Sequence, residues 1–151
     1  VRRLLTLGLL TMCLVLVPTA AQAHTGRLVD RYDSTTRHVL LRVELKSHEG
    51  QVRAECFALD DGESPAHSHR ITACQVRVAD LTGADVGTPG TASCPGPEGT
   101  YGPCGYSLQD QHLHSNWTNI RRYPLCMYAI GGFDVVGHTH ATHRTTCVPF
   151  V

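Results

Sequence analysis

The sequence predicts an all-β fold, a small antiparallel sandwich or barrel of about seven short strands stapled by disulfides. Three observations lead there. Apolar residues alternate with polar ones over several stretches of strand length, and no stretch sustains an apolar period of 3.6 residues. Clusters of Gly, Pro, Asp and Ser separate those stretches at short intervals. An even number of cysteines remains once the first segment is set aside. No internal repeat is visible.

The clearest strand runs from Arg37 to Lys46, with Val39, Leu41, Val43 and Leu45 on one face. Ser47-His-Glu-Gly50 then reads as a turn, and Gln51 to Leu59 alternates again with Val52, Ala54, Cys56 and Ala58 inward, so the two segments form a hairpin. Asp60 to Pro65 is a longer break. Arg70 to Leu81 gives a third strand, with Thr72, Cys74, Val76 and Val78 expected on one face. Residues 82–105 hold repeated Gly and Pro and few large apolar side chains, which predicts a surface loop. Strand character resumes at Tyr106 to Leu113, Leu125 to Ile130 and Phe133 to Val136, with Gly131-Gly132 as a tight turn between the last two. His138 to Val148 is expected to close the sheet.

Residues 1–23 carry the pattern of an export signal: Arg2-Arg3, an apolar run from Leu4 to Val17, and Ala21-Gln-Ala23 as a small-x-small cleavage site. The run is shorter than the about 20 residues a membrane-spanning helix needs, so no membrane anchor is expected after cleavage. Met12 before Cys13 argues against a lipid-attachment site there. Val1 reads as a non-ATG start codon of the kind bacterial genes use. Cleavage after Ala23 leaves a single secreted domain, residues 24–151. Loss of Arg2 and Arg3 leaves 11 basic against 13 acidic residues, with no basic stripe, which excludes nucleic acid as the expected partner.

Six cysteines stay after Cys13 leaves with the signal, and in an exported chain they read as disulfides. Sequential pairing is expected: Cys56–Cys74, Cys94–Cys104 and Cys126–Cys147, each closing one hairpin or loop. Their spacing contains no C-x-x-C, which argues against a thiolate zinc site.

All 10 histidines remain in the mature chain. Three His-x-His pairs occur: His67 with His69, His112 with His114, and His138 with His140. On a strand, residues two apart share a face with Cα atoms about 7 Å apart, so two imidazoles can reach one ion. Pro65-Ala-His67-Ser-His69 resembles the cupin His-x-His signature, but the downstream glutamate is missing, with Ile71 to Cys74 in its place, and cupin chemistry is excluded. The expected function is therefore transition-metal binding, copper or zinc, for sequestration or delivery. The expected ligands are His112, His114, His138 and His140, with His24 as a further one, its α-amine freed beside its imidazole by cleavage. Two rivals stand beside this reading. An extracellular protein is the partner if the 82–105 loop acts as a protease-inhibitor loop, and a copper enzyme is implied if His24 converges with another histidine. No G-x-S-x-G, P-loop or H-E-x-x-H is present, so the sequence offers no catalytic residue.

Overall fold

The apolar alternation does build two facing layers. The computed structural model describes residues 26–63, 65, 67–80, 82, 84–93, 105–119 and 126–149. Among these are ten strands: β1 (Arg27–Thr36), β2 (Val39–His48), β3 (Gln51–Asp60), β4 (His69–Ala79), β5 (Asp85–Ser93), β6 (Gln111–His114), β7 (Thr118–Asn119), β8 (Cys126–Val135), β9 (Ala141–Arg144) and β10 (Val148–Pro149). They form two antiparallel sheets. The first has the order β1-β2-β3-β6, with β7 also on β3, and the second the order β10-β8-β4-β5, with β9 also on β8. Val39, Leu41, Val43 and Leu45 from β2 and Val52, Ala54, Cys56 and Ala58 from β3 face Ile71, Cys74, Val76 and Val78 from β4 and Met127, Ala129, Phe133 and Val135 from β8. Burying such side chains is the main favourable term in holding the layers together.

Cys56 is bonded to Cys74, and Cys126 to Cys147. The first bond joins the two sheets through the core rather than two neighbours in one sheet, since β3 and β4 belong to different layers. The expected Cys94–Cys104 pair lies outside the described residues, as do His24 and the whole of residues 1–25.

Several expectations are corrected. Among the described residues the strands number ten rather than about seven: β1, β5 and β7 are additional and the closing segment divides, while the two segments expected on either side of Gly131-Gly132 merge into β8. Residues 85–93 of the expected loop form β5, which pairs with β4. An edge strand needs backbone partners on one side only, so Pro89 and glycines do not exclude it. Between Tyr106 and Leu113, only Gln111–His114 forms a strand, with a single bridge from Ser107 to His69. In β4 a register shift between Ile71 and Ala73 turns Ile71 inward in place of Thr72. His138 lies in the turn before β9, not on a strand.

The Gly131-Gly132 turn is also absent, for β8 runs straight through it. These glycines serve close packing instead. A Cβ on Gly131 would stand 2.9 Å from the Phe133 ring and from Val43 Cγ2, and one on Gly132 would stand 2.5 Å from Thr72 Oγ1. Gly131→Ala is therefore expected to cost about 1–3 kcal/mol through overpacking, read as a lower denaturation midpoint with unchanged slope. A variant as stable as the parent would mean the sheets can part without cost.

Both sheets repeat one local device that no sequence repeat announces. The ribbon beside β3 breaks between β6 and β7, and the ribbon beside β8 breaks between β9 and β10. At the first break Ser115 N donates to Ala54 O, Ser115 Oγ accepts from Ala54 N, and that hydroxyl donates to Asn116 O, at 3.0, 3.0 and 3.1 Å. At the second, Thr145 makes the same three bonds with Ala129 and Thr146 O, at 3.0, 3.0 and 3.2 Å. A side-chain hydroxyl thus satisfies backbone groups that the interrupted ladder would leave buried and unpaired.

Candidate metal centre

The described residues bring together one group with three potential metal donors: His38, Asp61 and Glu63, whose ligand atoms all lie within 4.8 Å of one another. Strand register makes it. Thr36 pairs with Val39, which leaves Arg37-His38 as a two-residue turn between β1 and β2. Both residues have positive φ, 46° and 62°, as the mirror-image hairpin turn requires. That conformation costs a non-glycine residue on the order of 1 kcal/mol. Val39 in turn pairs with Asp60, which sets the turn beside the chain leaving β3. There Asp61 N donates to His38 O at 2.9 Å.

Asp61 divides its carboxylate. Oδ1 accepts Glu63 N–H at 2.9 Å, and Oδ2 faces His38 Nδ1 at 3.3 Å. Glu63 Oε2 approaches the same Nδ1 at 2.9 Å. One ring nitrogen therefore meets two carboxylate oxygens from a second segment. The His38 side chain is 39 % exposed and that of Glu63 70 %, so an ion could reach the group directly from solvent.

Of the histidines expected from sequence, His112 and His114 do share a face. They project from β6 onto the outer side of the first sheet, with ring centroids 5.8 Å apart and planes tilted by 56°. Two imidazoles on one ion at about 2.0–2.1 Å have centroids roughly 4.5–6.3 Å apart, so this pair can converge. His112 stacks flat on Phe57, centroids 4.2 Å apart, and its Nε2 lies 3.4 Å from Glu55 Oε2. His114 Nδ1 lies 3.2 Å from Ser115 O. Burial pushes the His114 imidazole below its ordinary value, which favours the neutral form a metal needs.

The other pair is elsewhere. β6 sits beside β3 and β9 beside β8, in different sheets, and β6 packs over β4 and β5 while β9 packs over β2. His140, just before β9, spends its Nδ1 on Asp134 Oδ1 at 2.7 Å, and Arg70 holds the other oxygen of that carboxylate at 2.7 Å. The structure does not assemble the four expected histidines around one point. His138 belongs to the turn of Gly137, against which the Arg37 guanidinium packs, so it occupies the same end of the sandwich as His38. His69, fully buried, has Nδ1 2.9 Å from His67 O and Nε2 3.0 Å from Gln109 O, which leaves no nitrogen for an ion.

Residues 85–93 of the segment expected to act as an inhibitor loop form β5, and residues 83 and 94–104 lie outside the described residues. No helix among the described residues is long and apolar enough to cross a membrane. No family model matches the chain, and neither does any curated protein or solved structure.

Proposed function

We propose that this chain is an exported, disulfide-braced β-sandwich that captures a divalent transition metal, zinc or copper, for sequestration or delivery, with His38, Asp61 and Glu63 as its principal ligands. One observation carries the reading: a single imidazole nitrogen faces two carboxylate oxygens at 3.3 and 2.9 Å. A tetrahedral ion with bonds of about 2.0–2.1 Å wants its donors roughly 3.3–3.4 Å apart, so small side-chain shifts suffice. One nitrogen and two hard oxygens suit Zn(II) or Cu(II) better than Cu(I). The His112–His114 pair is a second, weaker position, supported by ring nitrogens that face Glu55 and Ser115 O, since such partners orient metal-binding histidines.

Calorimetry of the mature protein with zinc chloride and copper(II) chloride tests this. One site tighter than about micromolar is expected, with His38→Ala weakening it at least about tenfold while thermal stability stays close to the parent's. His112→Gln with His114→Gln should leave that site intact. Absence of any binding tighter than about micromolar, or equal binding by His38→Ala, would overturn the assignment.

A further inference from the structure

On β9, His143 points inward at the margin of the sandwich rather than outward with Thr142 and Arg144. It stands opposite Gly131 of β8 and stacks on Tyr32 of β1, centroids 4.9 Å apart and planes 28° apart. The Phe133 ring of β8 is also beside it, 5.9 Å between centroids and planes tilted by 38°. Its Nε2 is buried and has no hydrogen-bond partner among the described residues. The corresponding inward place in the first sheet, two residues before the hydroxyl that plugs the ribbon break, is taken by Leu113. An imidazole thus occupies a site built for an apolar side chain.

We propose that His143 is an acid-operated clasp: neutral, it seats β1 against the second sheet, and protonated, it releases that edge.

The neighbours make the argument. From β1 the ring meets the Tyr32 phenol, and from β8 it meets Phe133 and the Gly131 backbone. The outward-facing Arg42 and Glu44 of β2 are engaged with Asp33 and Lys46 on the far side of the first sheet. Burial alone lowers the affinity of His143 for a proton, with no charged group contributing. His38 and His140 differ in their surroundings, because each faces a carboxylate. At this margin β1 is also tied by Asp30, whose Oδ2 accepts both Thr146 N and Thr146 Oγ1 at 2.7 Å, and by Val29, which packs against the core. Burial would raise Asp30, but those Thr146 bonds outweigh it and hold the carboxyl below its ordinary value, so it stays charged at mildly acidic pH.

The sign follows from linkage. The closed edge binds the His143 proton less readily than the open edge, whose histidine titrates near about 6.5. Above that pH neither form is protonated and closure carries no penalty. As the pH falls below it, the open form gains the proton first and the closed edge loses stability.

Hydrogen exchange of the full mature chain at about pH 7.5 and about pH 5, corrected for intrinsic exchange, tests the clasp. The β1 amides are expected to lose protection severalfold at the lower pH while β3 keeps its own. His143→Phe keeps a ring between Tyr32 and Phe133 but cannot titrate, and should show the same β1 protection at both values. Unchanged protection in the parent, or an equal loss in His143→Phe, would overturn the proposal. Should that variant fail to fold, an NMR titration of His143 in the parent decides: a midpoint below the ordinary histidine range supports the clasp, and one at or above it refutes it.

Discussion

Replacing Cys56 and Cys74 together by alanine is expected to lower stability by about 3 kcal/mol, the chain-entropy value for a loop of this size. The two half-cystines are 18 residues apart in sequence and fully buried between the sheets. In a domain this small that corresponds to a drop of roughly 10 °C in melting temperature. A reductant should bring the parent toward the variant, since the same cross-link is lost by either route. The measurement is reversible denaturation with and without dithiothreitol. A variant within about 1 kcal/mol of the parent would show that the apolar layers hold the sandwich without it.

The second large effect is expected at Glu55. On the outer side of the first sheet it is only 2 % exposed, yet it is ionised. Burial alone would raise its carboxyl. The His112 contact, the Lys46 hydrogen bond at 2.6 Å and the Arg53 guanidinium overcome that and hold it at about 2. Glu55→Gln preserves the shape but leaves the buried Arg53 guanidinium without its carboxylate. Breaking a buried pair from one side costs about 3–5 kcal/mol, and urea denaturation near neutral pH should show it. The pH dependence has a definite sign. A carboxyl depressed in the folded state contributes stability that is complete above its unfolded value of 4.5 and is lost as the pH falls toward about 2. Over that window the parent should lose on the order of 3 kcal/mol from this group, and Glu55→Gln should follow a correspondingly shallower curve. Parallel curves would mean that Glu55 is not ionised in the folded protein.

Much of the fold was legible because the layers obey the period of a strand. Val39 to Leu45 and Val52 to Ala58 alternate cleanly on either side of Glu49-Gly50, and they form the paired hairpin the pattern predicts. Cys56 and Cys74 were legible for the same reason, both falling on the inward phase. β1 was not, because a margin strand faces water along much of its length: Asp30, Ser34 and Thr36, opposite Leu45, Leu41 and Val39, stand where an apolar phase would have marked it. The glycine pair in β8 misled because the usual reason for adjacent glycines is a turn, whereas here the contact with Val43, Phe133 and Thr72 demands them. The candidate site was legible only in part. His112 and His114 share a face because they are two apart on a strand. His38 and Asp61 are 23 residues apart, and only the pairing of Val39 with Asp60 brings them together. No local spacing carries that signal.

The interrupted ribbons bear on how this molecule behaves when crowded. A long, flat sheet margin is a template on which another chain can stack and grow into a fibre. Past Ser115 and Thr145 the ladder offers an incoming strand only fragments of two to four residues. Along β1 it would meet the charges of Arg27, Asp30, Arg31 and Asp33, and along β5 it would meet Pro89, which has no backbone N–H to donate. Each of these margins carries its own deterrent, so the protein is equipped to remain dispersed at high concentration.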